Sequence, residues 1–360
     1  MRFFQKILSK FFKKFTNQYY CPTKIEAVIL VNFIMLIKEK IRRSVFSKGN
    51  ESDGVAVYNL KCCPITFDFA YFLYQAEIFF LEKGVKNFYV VIVDGQSLEN
   101  REYKEIIDEN RQRKRIEAIL LPMAEMYRAV EKVLVCSGDV DPVWHARSPG
   151  AYVFPRFATN KHLRSHSYKK IFHYNKEGRT YSGFSAPETS KKAVGRMLSD
   201  AGIVSPIVVL TVRDYGYQPL RNTSLPVYIK FAEWLKSRGY HVVFVPDADA
   251  NSSSDFGRGY VCRKAAEDIF FRVALSEQAI CTVFTSNGLH ALCALNHKTS
   301  YIIASYVNES YPESTGLQRY QGEGLSWGDQ PFTENNSVVV WDKETVSNLK
   351  NAFLQISSKV

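Results

Sequence analysis

The chain has 360 residues, 46% of them hydrophobic and 14% aromatic, with 47 Lys plus Arg against 36 Asp plus Glu. That is long enough for two ordinary domains and too apolar for a disordered chain; the 19 Gly and 13 Pro are scattered and no internal repeat occurs, which excludes collagen-like, mucin-like and solenoid architectures. The net charge of +11 is uneven: residues 1–50 hold eleven of the basic residues and only Glu26 and Glu39, a local +9, so the other 310 residues carry +2. A body this close to neutral argues against a nucleic-acid partner.

The first residues have a helical pattern. At ~100° per residue, Phe3, Phe4, Ile7, Leu8, Phe11, Phe12 and Phe15 fall within about half of a helical wheel, while Arg2, Lys6, Lys10, Lys13 and Lys14 fill the flank and the other side. Aromatic anchors opposite lysines predict, over residues 1–20, a helix lying in the headgroup region of an anionic membrane rather than docking on the protein's own core. The longest uncharged apolar stretch, residues 27–37, is 11 residues, short of the ~20 a bilayer span needs, so neither a spanning helix nor a secretory signal is expected. Seven cysteines (Cys21, Cys62, Cys63, Cys136, Cys262, Cys281, Cys293) form no CxxC pair, which points to a reducing compartment. The expected location is the cytoplasm, peripheral on the inner face of the cell membrane.

After residues 47–54, rich in Ser, Gly and charge, 55–60 reads as a strand, 67–82 as a helix and 87–94 as a β-branched strand ending in Asp94-Gly95. Residues 99–132 read as helical with an interruption at Pro122, and 133–136 as a short strand. Residues 139–190, rich in Tyr, His, Lys, Ser and Pro without a clear period, read as the connection between two domains, lining a cleft. The second half predicts strands at 207–212, 241–245, 280–285, 300–304 and 337–341, and helices at 226–238, 263–278, 289–296 and 344–356. This alternation predicts an α/β fold of two Rossmann-like, doubly wound domains facing a cleft, bounded at 51–195 and 196–360 and preceded by the basic segment 1–50.

Ligands of such sheets bind outside the carboxyl ends of strands, so the residues there carry the chemistry. The first strand of the second half ends in a loop holding Arg213, Arg221 and Asn222; two arginines at a strand terminus suit a diphosphate, the alternative being an interdomain salt bridge. Another strand runs through Thr285 into Ser286-Asn287-Gly288 and then a predicted helix, leaving backbone N–H groups for an anion or, in the plainer reading, a cap. Asp247-Ala248-Asp249 has the form of a DxD metal motif, but Asp139-Val140-Asp141 shows how easily the triplet arises, and Asp247 reads rather as a strand-end turn or ribose contact. No metal or cofactor is expected. A lone histidine, as with His145 and His290, is more often structural than catalytic. Metalloprotease, serine hydrolase, P-loop and nicotinamide-binding motifs do not occur.

The order of Arg213, Arg221-Asn222, the Pro246-Asp247 turn and Thr285-Ser286-Asn287-Gly288 opening a helix resembles the nucleotide-sugar domain of GT-B glycosyltransferases, in particular little-characterised bacterial members associated with surface-polysaccharide synthesis. The late run Gly324-Leu325-Ser326-Trp327-Gly328-Asp329-Gln330-Pro331-Phe332, followed by Val338-Val339-Val340-Trp341-Asp342, is similar to that group as well; the resemblance covers residues 200–357 and, loosely, 55–160. It implies that 196–360 binds the nucleotide-sugar donor and that the first domain binds a glycan or lipid-linked acceptor. Arg213 is similar to the strand-end arginine that contacts the donor phosphate in the fucosyltransferase branch. On this resemblance Arg213, Arg221, Ser286, Asn287 and Gly288 hold the donor diphosphate, while Asn222, Asp247 and His290 contact the nucleotide or sugar. The base for the acceptor hydroxyl is expected across the cleft, from Asp68 or Asp94, each following a predicted strand. One departure is the lack of a Glu-x7-Glu pair in the second half; Glu109, Glu117 and Glu125 have that spacing but lie in the first. Epimerisation or hydrolysis of a sugar nucleotide on the same fold, and a non-catalytic membrane-associated scaffold, are the competing readings.

Overall fold

The computed structural model describes residues 54–60, 63–93, 113–136, 151–155, 168–204, 206–214, 219–247, 256–257, 259–285, 288–304, 328–330 and 337–358. The segment 1–50 with its membrane-surface helix, and Asp94, Ser286 and Asn287, lie outside the described residues. Two sheets form the frame. The first holds β1 (Gly54–Asn59), β2 (Phe88–Val93), β3 (Val130–Cys136) and β4 (Tyr152–Phe154) in the order β3-β2-β1-β4. The second holds β5 (Ile207–Thr211), β6 (His241–Val245), β7 (Tyr260–Val261), β8 (Cys281–Thr285), β9 (Tyr301–Ala304) and β10 (Ser337–Val339) in the order β10-β9-β8-β5-β6-β7. Every strand pairing is parallel. Counted from β5, the second sheet has the Rossmann order 3-2-1-4-5-6 and the first has its opening half.

The helices are α1 (Asp68–Leu81), α2 (Leu121–Met126), α3 (Tyr168–Lys176), α4 (Glu188–Asp200), α5 (Leu225–Lys236), α6 (Lys264–Glu267), α7 (Ile269–Gln278), α8 (His290–Ala294) and α9 (Val346–Ser357). Strand period two divides the second core: Val208, Leu210, Val283 and Ile302 pack with Tyr228, Phe231, Leu235 and Phe353 of α5 and α9, whereas Ile207, Val209, Val243 and Ile303 join the core of α7, α8 and the first domain. The sheet is therefore covered on both faces, as its unbroken apolar strands require. Helix α1 is buried nearly all round, Phe69 to Ile78 and Phe80, because it is enclosed by β1 and β4, by α2 and α3, and by α8 of the second domain.

Several elements differ from the sequence expectation. Residues 139–190, expected as a connection, contribute described structure to the first domain: β4, which pairs with β1, and α3, which packs on α1. Strand β4 is three residues long and too short to show a period, and α3 is polar apart from the buried Ile171 and Phe172. The predicted helix 263–278 is two helices broken at Asp268, whose backbone is extended and whose carboxylate accepts the Phe271 N–H at 3.0 Å. Pro122 does not end its helix: the wide turn Ile116–Leu120 precedes it, which gives room for the ring and removes the need for its missing N–H.

The chain crosses between domains at residues 181–186, and this crossing is bonded on both sides. Arg128 N donates to Gly183 O (3.1 Å) and Ser185 N to Met126 O (3.1 Å) on the first domain, and Phe184 N to Leu295 O (2.7 Å) on the second. Gly183 has φ +68°, and a Cβ there would stand 2.5 Å from Leu295 O, so glycine is required. Beneath it, Glu77 of α1 is 1% exposed and accepts the Tyr127 hydroxyl (2.7 Å) and the Ser182 N–H (2.7 Å). Burial, with Glu77 alongside, raises the Tyr127 phenol far above its ordinary range. Among the described residues no helix is long and apolar enough to cross a membrane.

Candidate functional site

In the second sheet the connections run one way from β5 through β6 to β7 and the other way from β8 through β9 to β10, so the strand order reverses between β5 and β8. At such a reversal the connecting segments diverge and leave a crevice outside the carboxyl ends of the two strands. Arg213 follows β5 into this place. It is 8% exposed; its N–H donates to Thr223 Oγ1 at 2.9 Å, its carbonyl accepts the Thr223 N–H at 2.9 Å, and its guanidinium Nη1 donates to Asn222 Oδ1. A buried guanidinium anchored at both ends of its own loop is held in one place, which a swinging surface arginine is not. Arg221 ends the 3₁₀ turn Pro219–Arg221 in the same loop and is half-buried.

Across the reversal, β8 ends at Thr285, whose Oγ1 is buried without a hydrogen-bond partner among the described residues. The helix expected to open there as an anion site is only the five residues of α8, too short for a sizeable macrodipole, and that part of the sequence reading is weakened accordingly. Gly288 has a different use. A Cβ on it would lie 2.9 Å from the Phe67 Cβ, so its lack of a side chain lets the turn after β8 close onto the start of α1. His290, in the next turn, accepts from or donates to the Tyr71 hydroxyl of α1 through Nε2 at 2.7 Å. Asp68 is the first residue of α1, half-buried, its N–H on Thr66 Oγ1 at 3.3 Å. Three positions before Tyr71, it stands on the side of α1 that meets the second domain. The structure thus brings Gly288 and His290 against the start of α1, the element that carries Asp68.

Strand β6 continues the edge. Thr211 pairs with Val245 and Val212 N donates to Val245 O at 2.9 Å, so Pro246 comes level with Val212 and Asp247 with Arg213. The group beneath is not among the residues expected from sequence: Arg272 of α7 donates through Nη2 to Pro246 O at 3.3 Å, and its Nε is buried without a hydrogen-bond partner among the described residues. Burial lowers its pKa to about 10 against the pull of Asp247. Its only sequence signal was an arginine inside the apolar run IFFRVAL. Among the described residues no group of three or more His, Cys, Asp and Glu is placed to hold a metal ion. An open depression of about 570 Å³, lined by Ala193, Arg196, Met197, Asp200, Ala201 and Tyr260, contains none of the strand-end residues, and the chemistry argues for the strand ends instead.

Fold and crevice together define an α/β protein of two parallel-sheet domains meeting at their carboxyl edges. No protein-family profile matches the sequence, and no curated protein does. Among solved structures the chain is similar to a glycosyltransferase of family 9 from Veillonella parvula DSM 2008, at 9% identity over 86% of this chain and 98% of that one, with a TM-score of 0.49. It is similar also to the E. coli ADP-heptose LPS heptosyltransferase II, at 10% identity over 85% and 99% with a TM-score of 0.44. A third is the iron-containing dodecameric glycosyltransferase TibC from enterotoxigenic E. coli H10407, at 13% identity over 86% and 77% with a TM-score of 0.43.

Proposed function

We propose that this chain is a metal-independent glycosyltransferase that moves a sugar from a nucleotide-sugar donor to a lipid-linked or cell-surface glycan acceptor. The observation that carries the reading is the place of Arg213, a buried guanidinium pinned at the point where the second sheet reverses its strand order. Transfer builds negative charge on the departing diphosphate and positive charge at the anomeric carbon, and a fixed cation at the diphosphate lowers that barrier without reorganising. Arg213, helped by Arg221 and by backbone N–H groups around Ser286, Asn287 and Gly288, takes the phosphate charge; Asn222, Asp247 and His290 face the nucleotide or sugar. Asp68, with Asp94 as the second candidate, accepts the acceptor hydroxyl proton as the glycosidic bond forms and the bond to the diphosphate breaks.

The basic, Phe-striped residues 1–20 support a further part of this reading: the protein works at the cytoplasmic face of the membrane, where lipid-linked acceptors are presented. The enzymatic part is tested by calorimetric titration with UDP-, GDP-, CMP- and ADP-sugars, in wild type and Arg213→Ala. Binding of one donor that the variant loses is expected, and binding of none, or equal binding by both, overturns the proposal in favour of a scaffold. A bound donor that is consumed without any acceptor points to hydrolysis or epimerisation instead. For the membrane part, the full chain floats with liposomes containing anionic lipid and a chain lacking residues 1–20 does not; equal flotation removes that part.

A further inference from the structure

The loop that carries Arg213 is closed at its base by a residue far away in sequence. Helix α5 begins after Ser224, whose own side chain makes no capping bond, and its third residue is Val227, so no Glu or Gln from within the helix can reach back to the Ser224 N–H. Glu344, in the turn before α9, does this from 120 residues downstream, Oε2 accepting the Ser224 N–H at 2.7 Å. The neighbouring Thr223 exchanges two 2.9 Å hydrogen bonds with the backbone of Arg213, and Asn222 takes the guanidinium. One unbroken run of bonds therefore leads from Glu344 through Ser224, Thr223 and Asn222 to Arg213. Two atoms of this cluster, Glu344 Oε1 and the Tyr228 hydroxyl, are buried beside one another and have no other hydrogen-bond partner among the described residues.

We propose that Glu344 is a positioning residue: its carboxyl group closes the 222–224 segment onto Arg213 and so holds Arg213 at the crevice. Its part in sugar transfer rests on the function proposed above, whereas the closure itself does not. The closure responds to pH. Burial raises the Glu344 carboxyl to about 7, opposed by the Ser224 N–H and, less, by Tyr228. The groups that face it are the Tyr228 phenol from α5 and, beyond that, the Cys281 thiol from β8; Asp342 and Lys343 beside it in sequence are exposed. A carboxyl whose pKa is higher when the loop is closed than when it opens to water favours closure in its protonated form. Closure is strongest at low pH and weakens as pH rises through about 7. From pH 6 to pH 8 the change is about tenfold.

Hydrogen exchange on the full-length protein tests this without any substrate. Corrected for intrinsic rates, amides of 219–228 in wild type are expected to lose about tenfold in protection from pH 6 to pH 8. Glu344→Gln, which keeps the acceptor oxygen and carries no charge, should hold the low-pH protection at both values, while Glu344→Ala loses it at both. Should Glu344→Gln retain the wild-type pH response, or Glu344→Ala match wild type, the proposal is overturned; if the alanine variant does not fold, the glutamine comparison decides alone. Donor titration then separates the two ideas: intact closure with no donor binding counts against the sugar-transfer reading only.

Discussion

The two carboxyl edges that meet in this protein are secured in opposite ways. On the second domain Arg213 is fixed by its own side of the seam, through Thr223, Asn222 and, at the loop base, Glu344. On the first domain the start of α1 is fixed in part by the other side: Tyr58 and Arg115 hold the Pro64 and Ile65 carbonyls from within the domain, but Phe67 lies against Gly288 and Tyr71 bonds His290 across the boundary. A group meant to meet a charged diphosphate is preorganised within one domain, whereas the position of Asp68 depends on how the two domains fit together. Changes at the seam should therefore reach Asp68 before they reach Arg213.

The largest effects sharpen that contrast. Arg213→Ala is expected to lower kcat/KM by roughly 10²–10³-fold and to abolish detectable donor binding, with the circular dichroism spectrum unchanged. Asp68→Asn should lower kcat by on the order of 10²–10⁴-fold with donor affinity preserved; a variant that keeps full turnover removes Asp68 as the base and leaves Asp94. Next comes Gly288→Ala, whose new methyl must displace the Phe67 Cβ at 2.9 Å. About 1–3 kcal/mol of stability should be lost in denaturant titration, and kcat should fall further than donor affinity does, since the same turn also lies at the proposed phosphate site. If donor affinity falls as far as kcat, the seam and the phosphate site behave as one unit.

A pH effect of comparable size follows from Glu344. Its carboxyl is raised from 4.5 to about 7 in the folded chain, so its contribution is fully present below about pH 4.5 and is lost as pH rises through about 7. Glu344→Gln should thus be the more stable protein at pH 8, by about 3 kcal/mol, with the advantage shrinking toward pH 5. The smallest change is Tyr71→Phe, which removes one half-buried hydrogen bond and should cost about 1 kcal/mol or less in melting experiments.

Much of the frame was legible because parallel strands buried on both faces are written as unbroken apolar runs. GVAVYN, FYVVIV, IVVLT, HVVFV and CTVFT stand out in the sequence and are β1, β2, β5, β6 and β8. What escaped was short or polar: β4 and β7 hold three and two residues, and α4, with only Val194 and Leu198 buried, announces itself solely by Pro187 and Glu188. Arg213 could be found because strand ends mark ligand crevices whatever the rest of the chain does. Glu344 and Arg272 could not, since each acts through a partner whose proximity only the folded chain creates, Ser224 in one case and Pro246 in the other. The Tyr71–His290 bond was hidden for the same reason, spanning 219 positions of sequence.

The crossing at 181–186 has a consequence for how the chain comes apart. Its backbone is stitched to Met126 and Arg128 on one side and to Leu295 on the other, and the hydrophobic cluster around it runs without a gap from Tyr58 and Phe72 to Phe284 and Leu295. Neither half can melt while leaving the other's packing intact. Scanning calorimetry should record one endotherm rather than two, and separately expressed halves should precipitate unless they are made in the same cell.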